Sequence, residues 1–160
     1  MAIDHGNHTA MNNLGYYYKT IEINYDLMKK YFLMAIDKGY GLAMNCLGYY
    51  YHYTEINYDL MKKYYLMAID KGCDNSMNNL GYYYDDIKIN YDLMKKYYLM
   101  AIDQGNLTAI TNLSNYLNRN LNKLYDDFEL YYSYLNLLNI SQTYKEAIQN
   151  LYLENKNTIL

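Results

Sequence analysis

The stretch Ala43-Met44-Asn45-Cys46-Leu47-Gly48-Tyr49-Tyr50-Tyr51 decides the reading of this chain, because it recurs. Its Leu-Gly pair appears at Leu14-Gly15, Leu47-Gly48 and Leu80-Gly81, and once more as Leu113-Ser114. Each Leu follows the previous one by the same interval (47 − 14 = 33), so the phase does not slip. A fixed period of this size marks units that cannot bury their own apolar face and must stack on a neighbour. Each unit divides into two helices. The pattern therefore predicts an all-α chain, a solenoid of stacked helix hairpins with a 33-residue period.

The second helix of each unit has defined ends. In the second unit it starts near Asn57 and runs to Gly72. Asn57 can cap the free amides, and Asp59 sits in the first turn, where the helix dipole favours an anion. Ile56, just before the cap, is expected to pack on Met61 as a hydrophobic staple. Gly72 ends the helix because glycine enters the left-handed conformation without a Cβ penalty. The same signals recur at Ile23/Asn24/Asp26/Met28/Gly39 and at Ile89/Asn90/Asp92/Met94/Gly105.

At about 100° per residue, Met61, Tyr65, Ala68 and Ile69 form an apolar face, widened by Leu60, Tyr64 and Met67. The opposite face carries Asp59, Lys62, Lys63 and Asp70, with Asp59 and Lys63 placed to form a weak exposed pair. Leu66 interrupts that polar face, as do Leu33 and Leu99 in their own units. These three align as a ridge on the convex surface, to be read either as scattered exposed Leu or as a secondary contact patch.

On the first helix Ala43, Leu47, Gly48 and Tyr51 share a face, and Gly48 lets the two helices of the hairpin approach closely. Asn45 and Tyr49 lie on the other side, with His52 at its edge. The pair repeats as Asn12/Tyr16 and Asn78/Tyr82 and decays to Thr111/Asn115 in the fourth unit. First helices line the concave side of a helix-hairpin solenoid, so Asn12, Tyr16, Asn45, Tyr49, Asn78 and Tyr82 form a candidate partner-binding groove. An Asn amide both donates to and accepts from a peptide backbone, while Tyr gives flat contact area at low entropic cost. Against this stands plain duplication. Copied units repeat idle residues, and Asn and Tyr are favoured by A/T-rich codons.

Composition narrows the function classes. The chain has 26 Tyr, no Pro, no Trp and a formal net charge of −3, with no basic run longer than a Lys pair. No phosphate-tracking face for nucleic acid is present. No apolar run reaches the roughly 18 residues that a membrane span needs. The first residues lack the charged and apolar regions of a signal peptide, and Cys46 and Cys73 occupy non-equivalent positions in their units. Both are read as reduced thiols of a cytoplasmic protein. His5, His8 and His52 show no metal-binding spacing, and no phosphate loop or nucleophile elbow occurs. The expectation is no enzyme, no cofactor and no metal.

At the residues of the first helix the chain resembles the Sel-1-like repeat, a relative of the tetratricopeptide repeat. The family pattern A-x-x-x-L-G-x-x-Y is met by Ala10…Leu14-Gly15…Tyr18 and Ala43…Leu47-Gly48…Tyr51, and by Ser76…Leu80-Gly81…Tyr84 with Ser for Ala. In the second helix Tyr25, Tyr31-Phe32, Ala35 and Gly39 fit, whereas Asn24, Met28 and Ile36 replace an Asp and two Ala. The family's Gly-rich loop between the helices is missing. The resemblance covers roughly residues 2–114. It implies a right-handed superhelical α/α solenoid acting as a protein-interaction scaffold or adaptor. The composition also resembles that of such repeat proteins in A/T-rich giant DNA viruses, which would place the chain in the host cytoplasm.

The expected organisation is one continuous solenoid domain. Residues 1–114 hold three hairpin repeats and the start of a fourth, and residues 115–160 a degenerate fourth unit and a C-terminal capping helix. That last helix has Thr143 and Glu146 as a capping box, and Tyr144, Ile148, Leu151 and Tyr152 as its apolar stripe. Ala2-Ile3-Asp4-His5-Gly6 matches the end of a second helix, Ala35 to Gly39, leaving the first hairpin uncovered and open to homodimer formation. Two readings follow. One is an adaptor that takes a peptide or protein segment in the groove. The other is a self-associating structural module with no separate ligand.

Overall fold

The computed structural model describes residues 7–119, and the expected N-terminal stub and C-terminal cap lie outside them. Residues up to Ala109 form one compact unit, and Ile110 onward belong to a second. Among the described residues all regular structure is helical. The helices are α1 (His8–Thr20), α2 (Tyr25–Asp37), α3 (Gly41–Tyr53), α4 (Tyr58–Ile69), α5 (Asp74–Tyr82), α6 (Tyr91–Asp103) and α7 (Leu107–Arg119). A π-helical turn, Tyr83–Ile87, prolongs α5. α1 packs on α2, α3 on α4 and α5 on α6 as hairpins; α2 meets α3, α4 meets α5, and α3 also touches α5.

The glycine of each first helix sits on a ring of the second. A Cβ on Gly15 would stand 2.7 Å from Phe32, one on Gly48 within 3.0 Å of Tyr65, and one on Gly81 2.5 Å from Tyr98. All three rings are fully buried, with Met28, Met61 and Met94 one turn earlier at 0% exposure. Nearer the loop, a second ring pair stacks face to face in every hairpin. Tyr18 lies on Tyr31 at 5.5 Å, Tyr51 on Tyr64 at 5.6 Å and Tyr84 on Tyr97 at 5.8 Å. Between hairpins, Tyr25 meets Tyr50 and Tyr58 meets Tyr83, both at 5.3 Å. These Tyr rings are thus used in packing, with pairs of this kind contributing about 0.5–1.5 kcal/mol beyond area burial.

The caps fall where the sequence puts them. Asn24, Asn57 and Asn90 accept from the amides of Leu27, Leu60 and Leu93 at 3.0, 3.1 and 3.0 Å. Gly39, Gly72 and Gly105 take left-handed φ of 77, 76 and 83°.

Two local expectations are corrected. Ile56 does not staple the helix start, since it is 56% exposed, as are Ile23 at 64% and Ile89 at 73%. Their φ values of 52, 50 and 46° lie in the left-handed region, where a β-branched residue is a genuine outlier. The short loop imposes this, because the next amide must reach back: Asn24 N donates to Tyr18 O, Asn57 N to Tyr51 O and Asn90 N to Tyr84 O, each at 2.8 Å. Asp59 pairs not with Lys63 but with Lys62, at 3.2 Å. Lys63 instead lies 5.4 Å from the centroid of the Tyr64 ring.

Candidate functional site

The six candidate groove residues differ in exposure. Asn12 and Asn78 are buried, each 8% exposed, while Tyr16 and Tyr49 are 49% and 42% exposed. Tyr82 is half-buried, and its hydroxyl donates to Asp86 Oδ2 at 3.2 Å. Asn45 is half-buried. Its Oδ1 accepts from Ser76 Oγ at 2.8 Å and from Asn79 Nδ2 at 3.2 Å, joining α3 to α5. One period earlier the residues corresponding to Ser76 and Asn79 are Ala43 and Cys46, which offer no hydroxyl or amide. Asn12 Oδ1 is accordingly buried without a partner. Asn45 is thus part of the joint between the second and third hairpins, Asn12 and Asn78 are buried, and Tyr16 and Tyr49 carry the accessible surface.

What the structure does bring together is a cleft of about 290 Å³ lined by Tyr16, Lys19, Asn45, Cys46 and Tyr49. Three of the six sequence candidates line it. Lys19 was not among them, although its place one turn after Tyr16 was readable from helical spacing. Its Nζ reaches from α1 to a point 4.4 Å from the Tyr49 ring centroid and 5.5 Å from that of Tyr16. Burial pushes the Cys46 thiol up to about 11 in spite of Lys19 nearby, so it stays protonated at neutral pH. That makes it a poor nucleophile.

His52 occupies the position equivalent to Lys19 and behaves differently. It is 1% exposed rather than at the edge of a polar face. Its ring stacks on Tyr53 at 4.0 Å, and Tyr58, Tyr65, Tyr82 and Tyr83 surround it at 6.0–6.4 Å. Neither ring nitrogen has a hydrogen-bond partner. Burial lowers its pKa from the ordinary value, with Asp86 opposing that shift. The imidazole is thus held among aromatic rings as part of the packing between α3, α4 and α5. Among the described residues no group of three or more His, Cys, Asp and Glu could hold a metal ion.

On the second helices Leu33 and Leu66 are 41% and 44% exposed, and Leu99 is half-buried. Among the described residues no helix is long and apolar enough to cross a membrane.

No family model matches the chain. No curated protein matches it either. Among solved structures it is similar to the immunity protein Pa5087 from Pseudomonas aeruginosa, with 20% identity and a TM-score of 0.46. That likeness covers 68% of this chain and 57% of the other, so the chain spans less than two thirds of that protein.

Proposed function

We propose that this chain is a protein-interaction module, a Sel-1-like solenoid of 33-residue helix hairpins that holds an extended partner segment along its first helices. One observation carries the reading. The cleft between α1 and α3 is lined by Tyr16, Asn45 and Tyr49, two exposed aromatics and an amide on successive units. Exposed Tyr supplies contact area with little entropy to lose, which suits a binding surface better than a solvated face. The module acts by positioning a partner and carries out no chemistry of its own. In this reading it works in the cytoplasm, host cytoplasm if it is viral, without nucleic acid or membrane.

A library of displayed octapeptides panned on the full chain tests this. Binders should be enriched, and a Tyr16→Ala/Tyr49→Ala/Tyr82→Ala variant with an unchanged melting curve should lose them. The Leu33→Ser/Leu66→Ser/Leu99→Ser variant should keep them. Binders lost only in the Leu variant would transfer the working surface to the second helices. The self-associating alternative rests on the exposure of Leu33 and Leu66, and light scattering across a concentration range separates it.

A further inference from the structure

Lys19 stands at a position where the units differ in kind. Its counterparts are His52 and Asp85, whereas the neighbouring Tyr16 is copied as Tyr49 and Tyr82. At that place in the second unit the imidazole is buried among rings. In the first unit a half-buried cation reaches across to α3 instead. Duplication alone does not produce this difference.

The groups lining the cleft have a consistent character. Lys19 brings a positive charge, and among the described residues no carboxylate pairs with it. Asn45 Oδ1 is already occupied by Ser76 and Asn79, which leaves the Nδ2 hydrogens to give. The hydroxyls of the lining residues Tyr16 and Tyr49 can donate as well as accept. Cys46 stays a neutral thiol, since burial pushes it up to about 11. The cleft thus contains one cation, several donors and no anion. The Tyr49 ring face beneath the ammonium fixes its position without neutralising it.

We propose that this cleft receives the carboxylate of an Asp or Glu side chain from the bound segment, held by Lys19 Nζ and Asn45 Nδ2. This rests on the groove reading above. One fixed cation balances one carboxylate, whereas a phosphate dianion would remain half uncompensated. A side chain suits the site better than a chain end, because Tyr82 continues the Tyr16 and Tyr49 series past the cleft.

Acetate and acetamide are the first probes, titrated separately into the isotope-labelled full chain and followed by NMR. Acetate should shift the Asn45 side-chain amide and the Cys46 backbone amide saturably, and acetamide should not. Lys19→Met, which keeps the aliphatic stem, should weaken the acetate response at least tenfold. Equal responses to the two probes, or an unaltered response in Lys19→Met, would overturn the proposal. The peptide panel separates the remaining outcomes. Selected octapeptides should carry Asp or Glu at one fixed position, and changing it to Asn or Gln should weaken binding at least tenfold. Binders without that acid preference overturn the carboxylate site and leave the groove standing. Loss of binding only on amidating the peptide C-terminus overturns the side-chain assignment. An acetate response with no enriched peptide overturns the groove reading and, with it, the peptide-borne carboxylate.

Discussion

Ser76 Oγ donates to Asn45 Oδ1 at 2.8 Å, tying the third hairpin to the second. The first joint lacks this bond, since Ala43 takes the place of Ser76 and Asn12 Oδ1 is left buried and unpaired. Ser76→Ala should therefore cost about 1 kcal/mol or more, because it also removes one of the two donors to a part-buried acceptor. Ala43→Ser should raise the melting midpoint by giving Asn12 a donor. Thermal melts of both variants check this. A destabilising Ala43→Ser would mean that the two joints do not share a register.

Gly48 lies on the Tyr65 ring with no room for a Cβ. Replacing it with Val should force α3 off α4 at a cost of about 1–3 kcal/mol through overpacking. Denaturant midpoints followed by circular dichroism give the answer, and an unchanged midpoint would refute the buried face assigned to α3.

The left-handed isoleucines offer the opposite effect. Ile56 is 56% exposed and loses little burial on truncation, while its φ of 52° is one that glycine adopts freely. Ile56→Gly should gain about 1 kcal/mol, the relief of left-handed strain less the entropy of a glycine. Ile23→Gly and Ile89→Gly should add to it, as separate loops act independently. Chemical denaturation of the single and triple variants measures this, and a loss of stability in all of them would contradict it.

Acid should weaken the fold through His52. Its folded pKa lies below the ordinary value, so the unfolded chain takes up a proton that the folded one excludes. Stability then falls as pH drops through about 6.5, the unfolded value, and levels off below the folded pKa. His52→Phe should remove this component of the pH slope and raise stability at neutral pH, since it eliminates two unpartnered buried nitrogens. Unfolding free energies of both proteins at pH 7.5 and 5.5 decide it. Equal slopes would show that His52 is not shielded from water.

The helices, their order and their ends were legible because Asn24, Asn57, Asn90 and the three glycines each act within one turn of chain. The contact under Gly48 was legible too, as an i, i+4 stripe needs only helical geometry. Burial on the first helix was not. α3 touches α2, α4 and α5 at once, so a two-faced picture fails for it. His52 follows Gly48 by four residues and shares its stripe, a signal outweighed by the polarity of the side chain. Asn12 and Asn78 are buried although both are polar, and nothing within one turn of the chain signals it. The left-handed isoleucines escaped because residue type argues against that conformation, and only the loop length requires it.

The stacked pairs Tyr18/Tyr31, Tyr51/Tyr64 and Tyr84/Tyr97 hold their ring planes within 3, 5 and 6° of parallel. The chain contains no Trp to mask them. Each hairpin thus has its own pair of coupled chromophores in the near ultraviolet, placed where its two helices join. Phe in place of one ring removes one pair's coupling, so the difference between that variant's near-ultraviolet circular dichroism and the parent's, followed through unfolding, reports when that hairpin's joint opens without any attached dye.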